Sequence, residues 1–281
     1  MKTLTITEQL NGDYFTFYDN ALGTILREFQ GLEYAQVRES IDDVAGDYGS
    51  VYITSKHGRR VVTIQGDLVG NDIFANRRLL LKALRQTGTI KLFKFTTYDD
   101  LLLQFEAEIT KVLNPYTHKI HTFLIEAMAP DWRLYAQALK SYDVSQTIVQ
   151  GGASIPAEIP MSIAEPTASE SDITNIIEND GNEASDPIFT IHGPGTDFYI
   201  SNETAGKNFT LSATLNDTDV VVIDVKRRTA IKNGTDNLYS SLTGDLWSVL
   251  PGENELRFLI SAGLTVDTNL NVAFRDAYSG I

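Results

Sequence analysis

The chain has no cysteine. This excludes disulfide staples, thiolate metal centres and a cysteine nucleophile, and it is neutral about compartment. Histidine and tryptophan are scarce, with four and two copies in 281 residues. No stretch approaches the about 18 consecutive apolar residues of a membrane-crossing helix. The opening Met1-Lys2-Thr3-Leu4-Thr5-Ile6 alternates polar and apolar side chains instead of building a signal-peptide core. The expectation is a product made in a cytoplasm, without membrane insertion.

Positive charge is also short. There are 23 Lys and Arg against 37 Asp and Glu, a formal net charge of −14. The deficit is uneven: residues 1–150 carry 16 bases against 18 acids, whereas residues 151–281 carry 7 against 19. Phosphate neutralisation needs clustered bases, and only Arg59-Arg60, Arg77-Arg78 and Lys226-Arg227-Arg228 occur, so no specific nucleic-acid binding is expected. Such short basic groups are ordinarily solvated or ion-paired.

Catalytic patterns are missing too. No Ser-centred nucleophile elbow is present, and neither Gly151-Gly152 nor Gly193-Pro194-Gly195 makes a phosphate loop ahead of a helix. The acid pairs Asp42-Asp43 and Asp99-Asp100 are adjacent in sequence, whereas glycoside hydrolysis needs two carboxyl groups facing each other across about 5–10 Å. His118 and His121 are expected as exposed loop residues without further metal ligands. Asn and Asp recur in the second half (Asn202, Asn208, Asn216, Asp219, Asn233). They serve either as turn formers or as an all-oxygen cation site, and turn duty is the commoner use. The reading is a non-enzyme with no cofactor and no metal.

What the chain does have is β-forming material: 12 Tyr, 13 Phe and many Thr, Val and Ile. In the first half, alternation marks strands at 14–18, 50–54, 61–67, 90–95, 101–109 and 122–127, with Gly66-Asp67 closing one of them as a turn. Residues 42–49 read as a solvated loop. A helix is expected from Ile73 to Arg85, capped by Asn71 or Asp72 and stopped by Gly88. Its apolar stripe would be Phe74, Leu80, Leu81 and Leu84. This pattern predicts a β-sandwich or split-barrel-like domain with one packed helix over 1–145. From 146 to 170 the chain turns to Gly, Pro, Ala, Ser and Thr, which reads as linker. Residues 171–281 carry short alternating strands with turn residues between them, the signature of a second β-sandwich.

At several of these places the chain resembles the distal tail proteins of siphoviruses, a family of baseplate-hub components. The resemblance runs through Ile64-Gln65-Gly66-Asp67, Asn76-Arg77-Arg78, Lys91-Leu92-Phe93 and Asp131-Trp132 in the first half. In the second half it runs through 187–193, 200–206 and Leu250-Pro251-Gly252-Glu253-Asn254-Glu255-Leu256, and through the ending 274–281. It implies a homohexameric ring at the virion tail tip, stacked on the major tail tube protein. The other face would hold a tail-associated hub or fibre protein, and a galectin-like C-terminal sandwich could carry a receptor-binding protein. An acidic ring would suit a conduit for DNA. In such a ring Arg77 and Arg78 either pair with carboxylates of a neighbouring subunit or remain plain exposed helix arginines. Trp247 is expected either in the core or as a sugar-stacking platform, the feature needed by the alternative function, a carbohydrate-binding adhesion module.

Overall fold

A computed structural model describes residues 3–8, 13–17, 24–43, 50–70, 72–84, 90–115, 120–145, 174–262 and 268–281. The expected linker 146–170 lies outside them, as do His118, Arg85 and Gly88. The chain divides into two units, Met1–Ala138 with Ala277–Ile281, and Leu139–Asp276.

The first unit contains β1 (Thr3–Glu8), β2 (Tyr14–Phe17), β3 (Thr24–Gln30), β4 (Val37–Asp43), β5 (Ser50–His57) and β6 (Arg60–Leu68). After α1 (Ile73–Ala83) come β7 (Ile90–Thr96), β8 (Leu102–Leu113), β9 (His121–Ala129) and β10 (Leu134–Ala136). One antiparallel sheet runs β2-β1-β7-β8-β9-β6-β3, with β10 laid against β8. The alternation of β7, β8 and β9 puts Phe93, Phe95, Leu103, Phe105, Phe123 and Ile125 on one buried face. The sheet curls around that face. Phe17 of β2 meets Phe123 of β9 at 5.3 Å, and Phe29 of β3 meets Phe95 of β7 at 5.8 Å, although neither pair of strands is adjacent in the sheet. Each such ring contributes about 1.5–3 kcal/mol by leaving water.

Helix α1 packs on β1, β2 and β6. Its buried residues are Ile73, Asn76, Leu80 and Ala83, with Leu84 just beyond; Phe74 and Leu81 of the expected stripe are 37% exposed. A polar Asn on the inner face hid the true stripe. Asp72 occupies the N-cap position but makes no side-chain cap. Gly66-Asp67 is not a turn: both residues lie inside β6. A Cβ on Gly66 would fall 2.4 Å from the Ile25 carbonyl oxygen and 2.5 Å from the Phe123 ring. The glycine is there for close approach.

The second unit contains β11 (Lys140–Ser145), β12 (Thr174–Asn179), β13 (Ile188–His192), β14 (Gly195–Asn202), β15 (Lys207–Leu215) and β16 (Val220–Asp224). It continues through β17 (Thr229–Lys232), β18 (Asp236–Asn237), a short 3-10 turn at Tyr239–Ser241, β19 (Leu242–Gly244), β20 (Gly252–Ala262) and β21 (Asn269–Phe274). The sheets β11-β21-β13-β16-β17-β18 and β12-β20-β14-β15-β19 form a sandwich. Phe189 and Val221 from one sheet share a core with Phe198, Phe209 and Phe258 from the other.

The unit boundaries differ from the expected ones at both ends. Residues 140–145, expected in the first domain, pair as β11 along β21, from Lys140↔Phe274 to Ser145↔Asn269. The final residues, expected in the second domain, return as β22 (Ala277–Tyr278) to pair with β10. Both exchanges are backbone pairings between segments more than a hundred residues apart, which local composition does not register.

Arg60 explains why the chain end belongs to the first unit. Expected to be solvated or ion-paired, it is 1% exposed and bonded to backbone carbonyls. Its Nε donates to the Trp132 carbonyl (2.8 Å), Nη1 to those of Gly31 (2.6 Å) and Glu33 (2.5 Å), and Nη2 to that of Ser279 (2.6 Å). One guanidinium ties three distant segments together. Burial pushes it down to about 10, against the pull of Glu33 and Asp131, so it stays charged at neutral pH.

Candidate assembly surfaces and a polar cavity

The first unit presents backbone and side chains suited to contact with other chains. Strands β2 and β3 end the main sheet, so each has one unpaired side among the described residues. Strands β4 and β5 form a separate two-stranded ribbon, with Val37 49% and Ile53 53% exposed. An isolated ribbon of this kind is marginal in water.

The two arginines of α1 do not share one environment. Arg77 is half-buried and donates through Nη2 to the Asn114 carbonyl at 3.3 Å. Arg78 is exposed and donates to the carbonyl of Phe74 one turn earlier, at 3.3 Å. Leu79 and Lys82 are exposed beside it. Only Arg78 has its charge on the outward face.

The Asp131-Trp132 pair is a structural corner. Asp131 accepts from the backbone N–H of Arg133 (3.1 Å), from its Nε (3.1 Å) and from the Tyr135 hydroxyl (2.7 Å). The Trp132 ring stacks on His57 with centroids 3.9 Å apart. His121, expected in an exposed loop, opens β9 and is fully buried, with Phe74 edge-on at 5.3 Å. The apolar alternation that follows it had already marked this strand.

In the second unit the resembling motifs 200–206 and 250–256 meet in space. Asn202 donates to Asn254 Oδ1 at 2.9 Å, and both side chains are fully buried. Asn254 also accepts from the Leu250 N–H and donates to the carbonyls of Leu250 and Gly252, while Asn202 accepts from the Ala205 N–H. These asparagines are turn staples. Trp247 is 1% exposed, with the Phe189 ring edge-on at 4.9 Å. No ring face is left at the surface for a sugar, so the stacking platform considered for it is not there.

Asp219 is a firmly held carboxylate in this unit. It takes the Lys232 ammonium at 2.8 Å, the Asn216 N–H at 2.8 Å and the Asn233 side-chain amide at 2.8 Å. These partners, Lys232 foremost, hold its carboxyl far below the usual carboxylate range. A depressed folded-state value means the stabilisation is complete above the unfolded value of about 3.9 and is lost as pH falls through the folded one. We expect an acid titration of the second unit to steepen below about pH 4, and Asp219→Asn to remove that step while destabilising the unit at neutral pH. An unchanged profile, read by circular dichroism, would contradict this assignment. Lys140 is the mirror case: desolvation lowers it, but hydrogen bonds to Asp180 and Asp276 raise it overall, so its contribution is lost only as pH climbs past the unfolded lysine value.

A cavity of about 420 Å³ opens at one end of the sandwich. Its apolar walls include Phe209, Val225 and Leu246; Asp186, Lys226, Arg228, Tyr239, Asp245 and Ser248 supply polar groups. Among the described residues no three acidic or histidine side chains group as a metal site.

No curated protein matches the sequence. The phage P2 baseplate in its activated conformation with Ca is matched at 10% identity over 96% of this chain and 97% of that one, with a TM-score of 0.48. The SPP1 Dit (gp 19.1) protein, described as a paradigm of the hub adsorption apparatus in phages infecting Gram-positive bacteria, is matched at 13% identity. That likeness covers 98% of both chains with a TM-score of 0.64, so the two share a fold. Residues 180–278 match the family model of the siphovirus-type tail component, C-terminal domain. Residues 180–278 are thus similar to the C-terminal domain of siphovirus-type tail components, and the chain as a whole shares the fold of the SPP1 Dit protein.

Proposed function

We propose that this chain is the distal subunit of a phage tail tip, a homohexameric ring that joins the tail tube to the host-adsorption apparatus. The observation that carries the reading is the tail-component match over 180–278, within a chain whose whole length follows a tail-hub fold. The open edges β2 and β3, the exposed β4–β5 ribbon and Arg78 support the first unit as the ring-forming part. A closed cyclic ring satisfies every such surface without leaving a free end. One face receives the last ring of tail-tube protein and the other a tail-associated hub or fibre protein, while the second unit is available to a receptor-binding protein. The acidic balance of the chain suits a channel that DNA must leave freely, since a basic wall would retain phosphate.

Light scattering across a concentration series tests the ring. A six-fold species of about 187 kDa, six times 31.1 kDa, is expected, alone or on adding the tail-tube protein. Arg78→Glu should raise the concentration needed for assembly about tenfold while leaving the subunit folded. A strict monomer in the presence of the tail-tube protein would overturn the reading.

A further inference from the structure

We propose that the β4–β5 ribbon of one copy of this chain seats in the cleft beside β3 of the next copy, its cations against that cleft's acidic rim. The contact rests on the ring reading and gives the ring a direction. Two like charges point to it. The ribbon register sets Arg38 directly opposite Lys56, and neither makes an ion pair among the described residues. Like charges facing each other across two strands work against a ribbon that is already marginal. The half of the ribbon that joins β6, 37–40 with 53–57, carries these two cations and one carboxylate, Glu39. Asp42 and Asp43 stand at the other end, opposite Val51 and Ser50. The basic half also holds the exposed Val37 and Ile53. It is a surface that asks for an apolar and acidic partner.

The cleft has that chemistry. It encloses about 600 Å³ between β3 and the turn from β7 to β8. Leu26-Arg27-Glu28-Phe29 line it in succession, and β3 pairs only with β6, so its second edge is open. Phe29, Leu32 and Leu101 supply an apolar floor. The one cation in the lining, Arg27, is held by Asp67 beneath it, so it does not offset the rim. Glu33 is drawn to the buried Arg60 guanidinium. Glu28 makes no ion pair among the described residues, and Asp99 adds a second carboxylate on the facing turn. Val37 and Ile53 of a neighbour would therefore find an apolar floor, and Arg38 and Lys56 an acidic rim. The open edges of ribbon and β3 add backbone hydrogen-bonding groups to the contact. Ribbon and cleft are different surfaces of one chain, so their pairing is head-to-tail and repeats until a ring closes.

Charge reversal in trans tests the pairing. Arg38→Glu with Lys56→Glu reverses the ribbon, and Glu28→Lys with Asp99→Lys reverses the cleft. Each protein alone should need at least about tenfold more chain to assemble, read by light scattering with and without the tail-tube protein. Mixed in equal amounts, they should come within about threefold of the unmodified chain, because alternation around a ring of six matches every ribbon to a cleft of opposite sign. A second readout uses the absence of cysteine. Thr54→Cys, on the exposed ribbon, with Tyr98→Cys, at the 79% exposed turn position, should give a ladder of chains with a short bismaleimide. Either cysteine alone should give none. If a reversed variant proves unfolded by circular dichroism, the ladder decides. Reversed proteins that assemble like the unmodified chain, a mixture that stays as weak as its parts, or no ladder would each overturn the proposal and leave the ring standing. An unmodified chain that remains monomeric beside the tail-tube protein overturns both.

Discussion

Replacing Arg60 with alanine should destabilise the first unit by about 3–5 kcal/mol and leave the second unit unaffected. The guanidinium is 1% exposed and satisfies carbonyls of Gly31, Glu33, Trp132 and Ser279. Removing it strands four acceptors, each costing about 1–3 kcal/mol where water cannot replace the donor. It also removes one tether of the Ala277–Ile281 segment, the hydrogen bond to the Ser279 carbonyl, while the β10–β22 pairing persists. Partial rehydration of those carbonyls keeps the total below their simple sum. Arg60→Lys should recover little, because a compact ammonium cannot span carbonyls reached by a planar fork. The two tryptophans make the experiment clean, with Trp132 in the first unit and Trp247 in the second. In a Trp247→Phe background, urea unfolding followed by fluorescence reports the first unit alone. A change under about 0.5 kcal/mol would mean the buried charge is structurally idle.

The elements legible in the sequence are those whose burial is decided strand by strand. Phe93/Phe95, Leu103/Phe105 and Phe123/Ile125 alternate because β7, β8 and β9 each turn one face to the core. The same holds for Phe189/Ile191 and Leu270/Val272 in the sandwich. Such a pattern is written within a few residues. Arg60 is not, because its partners are backbone carbonyls, which every residue has, brought from positions 31, 33, 132 and 279. Its neighbour Arg59 is chemically identical in sequence and exposed in the fold. The unit boundary was obscured in the same way: β11 reads like any strand, and only its pairing with β21 assigns it. The candidate cavity was equally hidden. It is assembled from a basic turn, a 3-10 turn and the segment before Trp247, none of which forms a motif with the others in sequence. The turn motifs around Asn202 and Asn254 were visible as resemblance, but their joint role as one buried hydrogen-bonded staple was not.

Trp247→Ala should cost the second unit about 3–5 kcal/mol, the range for emptying a large aromatic site in a packed core. Its indole lies against the Phe189 and Phe209 rings at 4.9 and 6.4 Å, where the two sheets of the sandwich meet. The indole N–H has no hydrogen-bond partner among the described residues, so the loss is one of packing and of the void left behind. This leads to a contrast that an interface or ligand role would not produce. Trp247→Phe keeps most of the aromatic volume and deletes an unsatisfied buried donor, so its cost should fall to about 1 kcal/mol or less. Hydrogen exchange against urea, followed on peptides from β13 and β15, measures both variants without needing the lost fluorophore. Protection in β7–β9 should not move, because those strands belong to the other unit. Equal losses for alanine and phenylalanine would show that the indole nitrogen, and not the ring's volume, holds this end of the sandwich together.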